Sequence, residues 1–119
     1  AKLDATDDWG KTALMWAAMN GELSCLDHLV HKGANLEATD ESGYTALMWA
    51  VQEGRRGCLE HLIVKGAKLE ATNEKGMTAL DIAKDSLEVI KDRMEVIKLL
   101  ETAIAAQERA AAERAAAGA

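Results

Sequence analysis

The sequence has no proline and no phenylalanine, only two cysteines, and aromatic side chains limited to Trp9, Trp16, Trp49 and Tyr44. So few aromatics, beside so much alanine and leucine, disfavour an ordinary all-β sandwich. Two cysteines without secretory features fit reduced thiols in an intracellular protein, cytoplasmic or nuclear, rather than a disulfide framework. No apolar run approaches the roughly 18 residues of a membrane span, and no signal-peptide pattern opens the chain. Basic side chains are the minority, 14 against 20 acidic ones, for a formal charge of -6. A phosphate backbone needs a basic face, so nucleic acid is disfavoured as a partner. What remains is a chain of 119 residues, 49% apolar and 29% charged, enough for one folded domain with a modest core.

The chain repeats itself at a step of 33 residues. Asp7-Asp8-Trp9-Gly10-Lys11-Thr12-Ala13-Leu14-Met15-Trp16-Ala17 returns as Asp40-Glu41-Ser42-Gly43-Tyr44-Thr45-Ala46-Leu47-Met48-Trp49-Ala50. It returns again, weakened, as Asn73-Glu74-Lys75-Gly76-Met77-Thr78-Ala79-Leu80-Asp81-Ile82-Ala83. The second half of the unit repeats as well: Gly21, Cys25-Leu26, His28-Leu29 and Lys32-Gly33-Ala34 match Gly54, Cys58-Leu59, His61-Leu62 and Lys65-Gly66-Ala67. Such a period signals a solenoid of stacked units.

Each unit has a physical reading. Gly10, Gly43 and Gly76 stand in polar clusters and mark tight turns with positive φ. Thr12, Thr45 and Thr78 follow two residues later, where a hydroxyl caps a helix start. A first helix over 12–20 ends at Gly21. A second, over 23–32, puts Cys25, Leu26, Leu29 and Val30 on one face and stops at Gly33. Neither helix can bury its apolar face alone; stacking does that.

On these residues the sequence resembles the ankyrin repeat family. Gly10-Lys11-Thr12-Ala13-Leu14-Met15 occupies the place of the family's Gly-x-Thr-Pro-Leu-His, and Gly33-Ala34-Asn35 that of its Gly-Ala-Asp. The likeness runs to about Leu100 and implies an all-α solenoid of helix-turn-helix units with turn hairpins. Alanine replaces the family's proline in all three units, and Met15, Met48 and Asp81 replace its histidine. A methionine stack then supplies dispersion where the family has hydrogen bonds.

The resulting division is a remnant of a preceding repeat at 1–6, units at 7–39 and 40–72, an irregular capping repeat at 73–104, and an alanine-rich helical or mobile tail at 105–119. The first unit carries the same apolar residues as the second, although terminal units normally turn a polar face outward. Either the chain is a piece of a longer array, or its leading face is covered by a partner. Leu3, Leu14, Leu29 and Trp16 are expected to be incompletely covered there. In the third unit about five extra residues enter around 84–93, the inner turn loses its glycine, and Leu87, Ile90, Met94 and Ile97 fall at helical spacing.

Cys25-x-x-His28 and Cys58-x-x-His61 have zinc-like spacing. Stacked repeats separate equivalent residues by about 8–10 Å, however, too far for one ion or a disulfide. Both cysteines are instead expected in the core, buried and metal-free. Asp7 and Asp40, at turn tips in solvent, read as turn formers rather than catalytic acids. No nucleophile-base arrangement or phosphate loop is present, so the chain reads as a non-enzyme without a cofactor.

Trp16 and Trp49 recur at one position of the first helix and read as stacked core or its edge. Trp9 and Tyr44 align with dissimilar residues, so the fold does not require an aromatic at either place. The resemblance implies a concave binding face made by the turns and first-helix ends: Asp8, Trp9, Lys11, Met19, Asn20, Glu41, Ser42, Tyr44, Gln52, Glu53, Glu74, Lys75 and Met77. Aromatic and methionine anchors among polar residues suit a protein interface. The expected partner is another protein, offering a basic or amphipathic segment. Self-association through the uncapped N-terminal face and a scaffold with no ligand of its own stand beside it. Trp9 as surface accident, or as cover for a missing repeat, also stays open.

Overall fold

The computed structural model describes residues 3–85 and 90–117, and the side chains of these apart from 90–93 and 117. Within them lie six helices: α1 Ala13–Asn20, α2 Leu23–His31, α3 Ala46–Gln52, α4 Arg56–Val64, α5 Ala79–Asp85 and α6 Ile90–Ala117. No strand occurs among the described residues, only an isolated antiparallel bridge between Thr6 and Thr12. α1 packs against α2 and α3, α3 against α4 and α5, α2 against α4, and α5 against α6.

The turns recur as the sequence does. Thr12 Oγ1 accepts from the Met15 N–H and Thr45 Oγ1 from the Met48 N–H, both at 3.3 Å. In the third unit Asp81 completes a reciprocal cap: its N–H donates to Thr78 Oγ1 at 3.2 Å, and its carboxylate accepts from the Thr78 N–H at 3.1 Å. Asp81 thus serves the helix start where a histidine would face the neighbouring repeat. α1 ends on Gly21 at φ 71°, and Gly33 follows α2 at φ 95°.

Neighbouring units are also sewn together by polar bonds. The Glu41 N–H donates to Trp9 O (3.2 Å) and the Glu74 N–H to Ser42 O (3.1 Å), one repeat further on. Asp4 Oδ1 accepts from the Asn35 N–H at 2.9 Å, and Glu37 Oε2 from the Lys68 N–H at 3.1 Å. Arg55 Nε donates to Met19 O at 2.9 Å across the first seam. Arg56 reaches both Glu60 and, on α6, Glu95. Between these bonds lies the core, with Leu14, Met15, Leu26, Leu47, Met48, Leu59, Leu62, Leu69 and Leu100 fully buried. Met15 and Met48 are both interior, as their replacement of histidine requires.

Two expectations need correction. Leu14 is buried, on a helix packed against both α2 and α3; Leu3 and Leu29 are half-covered and Trp16 is exposed. Ile90, Met94 and Ile97 lie on one helix, α6, as their spacing predicts, with Met94 72% exposed. Leu87 and the rebuilt inner turn lie outside the described residues. Beyond Leu100 the chain continues as helix to Ala117, and Gln107 Nε2 donates to Ala67 O at 3.4 Å.

The second correction concerns the thiols: Cys58 is buried but Cys25 is exposed. The two positions are equivalent, but Cys58 is covered by the first unit, its Sγ 4.0 Å from Ala17 O. No described helix pair covers Cys25 in the same way. Burial pushes the Cys58 thiol up, against a smaller opposing pull from Arg55. The Cys25 thiol is pushed up chiefly by its hydrogen bond to Glu22 (3.4 Å), then by desolvation and the Glu22 charge. Native protein should therefore titrate one thiol with a disulfide reagent and denatured protein two. Cys58 should react at least tenfold more slowly, since attack requires the thiolate and access. Glu22→Gln should accelerate Cys25 near neutral pH. Equal native reactivity of both thiols would contradict the burial described.

Candidate protein-binding face

The hairpins that carry the candidate face are organised by one acceptor each. Asp7 Oδ1 accepts from the Trp9 N–H (3.0 Å) and the Lys11 N–H (2.8 Å). Asp40 Oδ1 accepts from the Ser42 and Tyr44 N–H groups, both at 2.9 Å. Asn73 Oδ1 does the same for Lys75 (2.9 Å) and Met77 (3.1 Å). These are side-chain turns that mimic backbone ones, and they fix where residues 8–11, 41–44 and 74–77 point.

The second carboxylate oxygen does something the sequence reading missed. Asp7 Oδ2 accepts from Trp16 Nε1 and Asp40 Oδ2 from Trp49 Nε1, both at 2.9 Å and both spanning nine residues. The acids are therefore not in full solvent: Asp7 is half-buried and Asp40 is 8% exposed. Desolvation pushes the Asp7 pKa up, but the bonds from Lys11, Trp16 and Trp9 with the Lys11 charge outweigh it, and the net shift is downward. A depressed folded-state pKa stabilises above the carboxylate's ordinary range, and that contribution is lost as pH falls through the folded value. The signal was available in the sequence. Where the third unit has Asn73 in place of the acid, it has Ile82 in place of the tryptophan.

The predicted site residues divide into groups. Trp9 stands 59% exposed on the first hairpin, with Asp8 exposed and Lys11 half-buried beside it. Lys11 Nζ lies 5.6 Å from the Trp9 ring centroid, 5.8 Å from that of Trp16 and 5.2 Å from that of Trp49. Around the next seam Tyr44, Gln52, Lys75 and Met77 line a cleft of about 220 Å³ with Ile82 and Asp85. Tyr44 does have a packing role, contrary to the expectation for it. Its ring meets Trp49 at 4.6 Å between centroids, and its hydroxyl donates to Gln52 Oε1 at 2.6 Å. Burial pushes its phenol pKa up; the neighbouring Asn73 side chain opposes that, and the Asp40 and Asp85 charges add to it. Glu41, Ser42, Glu53 and Glu74 are exposed. Met19 is engaged through its carbonyl with Arg55.

Asn20 faces elsewhere. With Trp16, Cys25, His28 and Leu29 it lines an apolar groove of about 620 Å³ between α1 and α2. Among the described residues no three His, Cys, Asp or Glu side chains gather as a metal site requires. No described helix is long and apolar enough to cross a membrane.

The family model for ankyrin repeats, in three copies, matches residues 1–73. The chain belongs to the ankyrin repeat family. No curated protein matches it. Ankyrin repeats are generally protein-interaction modules and typically non-catalytic, which is the level at which membership speaks for this chain. The match ends at Asn73; beyond it the structure shows the Asn73 turn, the Thr78 cap and the α5–α6 packing.

Proposed function

We propose that this ankyrin solenoid is a non-catalytic, intracellular module that grips a basic or amphipathic segment of another protein along its hairpins and first helices. The observation that carries this is Trp9. Its backbone is fixed by Asp7 and by the Glu41 N–H, yet its ring is 59% exposed. A rigid backbone presenting an uncovered tryptophan is an anchor with its ordering cost already met. Asp8, Glu41, Glu53 and Glu74, all exposed, give the face the sign that attracts a cationic segment.

The test is a titration of a captured partner against Trp9→Ala and Tyr44→Phe, with Glu60→Ala on the opposite helix as control. Trp9→Ala should weaken binding about tenfold or more. Tyr44→Phe keeps the Trp49 stack while removing the Gln52 bond. Added salt should slow association more than it speeds dissociation. Loss of affinity from Glu60→Ala alone would put the interface on the wrong side.

A second reading, a structural stretch of a longer array or a self-associating unit with no ligand, is favoured by the α1–α2 groove. Its lining at Trp16, Ala17, Cys25, His28 and Leu29 is equivalent to the surface at Trp49, Ala50, Cys58, His61 and Leu62. On the latter surface the first unit sits. Concentration-dependent sedimentation of the chain, abolished by Leu29→Lys, would support self-association.

A further inference from the structure

Three indoles converge on one cation at the first seam. Lys11 Nζ lies within 6 Å of the ring centroids of Trp9, Trp16 and Trp49, at 5.6, 5.8 and 5.2 Å. The rings come from the first hairpin, α1 and α3, so the cluster straddles two repeats. Two of them are pinned by their indole N–H bonds to Asp7 and Asp40, which fixes the faces they present. The third, Trp9, is the exposed one, at 59%. Stacking does not demand this cluster. At the next seam the equivalent positions are Ser42, Tyr44, Trp49 and Ile82, and the tyrosine ring itself covers Trp49.

Aromatic faces attract cations through the ring quadrupole, tryptophan most strongly. Lys11 is a poor permanent occupant. Its ammonium is compact and strongly hydrated, on a flexible four-carbon stem, and its three N–H donors are better satisfied by water than by ring faces. A trimethylated ammonium has no N–H to satisfy, sheds water at less cost and presents methyl groups to three rings. The carboxylates of Asp7 and Asp40 lie at the N–H edges of Trp16 and Trp49, adding negative potential close to the same space.

We propose that Trp9, Trp16 and Trp49 form a cage for a methylated ammonium group, a trimethyllysine side chain of the partner protein, with Lys11 as the internal occupant that the ligand displaces. This rests on the concave-face reading above and gives it a chemistry: the basic segment is read by its methylation, at the first seam.

The experiment follows the three indole N–H resonances of the ¹⁵N-labelled full chain during titration at constant ionic strength. The probes are tetramethylammonium, Nα-acetyl-trimethyllysine amide, Nα-acetyl-lysine amide and choline. The three signals should shift together and saturably with the methylated probes, trimethyllysine amide binding at least tenfold more tightly than lysine amide. Lys11→Ala should tighten that binding about threefold or more, since the competing cation is gone. Trp9→Ala should abolish it while leaving the thermal midpoint within a few degrees, because the ring is exposed. Absence of saturable shifts in both the parent and Lys11→Ala would overturn the proposal, as would equal binding of the two lysine amides. Choline binding more tightly than trimethyllysine amide would overturn the assignment to a peptide side chain. The outcomes also separate the two readings. A cage indifferent to methylated probes, in a chain whose partner still needs Trp9, overturns the cage alone. A cage that binds them, in a chain whose partner ignores Trp9→Ala, supports the cage and overturns the interface.

Discussion

Gly43→Ala should destabilise the chain by about 3 kcal/mol or more, whereas Gly76→Ala should cost only about 1 kcal/mol. Both residues sit at the same place in their hairpins, at φ 78° and 75°, so the left-handed backbone penalty is common to both. The difference is the neighbour. A Cβ on Gly43 would lie 2.8 Å from Glu74 N and 3.1 Å from the Asn73 Cα, main-chain atoms of the following hairpin. A Cβ on Gly76 would meet nothing within 4 Å. Backbone cannot swing aside as a flexible side chain can, so the Gly43 variant must spread the second and third hairpins and lose the Glu74 to Ser42 bond. Thermal unfolding reads the contrast: for a chain of this size the two midpoints should differ by roughly 5–10 °C. Equal midpoints would mean that hairpin-to-hairpin contact is not what holds the glycine.

Much of the fold was legible because the repeat prints the same instructions more than once. Glycine at 10, 43 and 76 with threonine at 12, 45 and 78 announces turn and cap in one phrase, and each position does what its type requires. Legibility declined where a residue's fate depends on what lies beside its unit. Cys25 and Cys58 occupy equivalent positions of the repeat, yet one is exposed and the other buried, since the first unit covers Cys58. The spacing of Ile90, Met94 and Ile97 gave the helix, but not which of its faces meets the body of the protein: Met94 is 72% exposed.

For the candidate face the sequence located the hairpins and the exposed Trp9, but assigned Trp16 and Trp49 to the core or its edge. The missing piece was long-range within each unit. Within one unit nothing local to Asp7 or Trp16 shows that nine residues bring a carboxylate to an indole N–H; only comparison between units, where Asn73 and Ile82 replace acid and tryptophan together, carries that signal. Tyr44 erred in the opposite direction. Read as unexplained by packing, it covers Trp49 at the second seam, where Lys11 stands at the first.

The acid–indole pair predicts a specific pattern of rescue. Asp40→Ala should cost about 3 kcal/mol, because three donors lose their acceptor at once: the N–H groups of Ser42 and Tyr44 and the indole of Trp49. Asp40→Asn keeps an oxygen for the two backbone donors, as Asn73 does in the third unit. Its amide nitrogen then faces the Trp49 N–H, donor against donor, and the expected cost is about 1–2 kcal/mol. Trp49→Ile alone leaves Asp40 with an unused, nearly buried charged oxygen and removes the Tyr44 stack. In the double variant Asp40→Asn/Trp49→Ile both faults of pairing vanish together, and the unit acquires the Asn73/Ile82 combination already present one repeat further on. Urea unfolding of the four proteins should therefore show the double variant about 1 kcal/mol or more better than the sum of its singles. The same cycle at Asp7 and Trp16 should give a smaller coupling, since that acid is only half-buried and water can replace the lost partner. Additivity within about 0.5 kcal/mol at Asp40 and Trp49 would show that the indole bond is incidental to the turn.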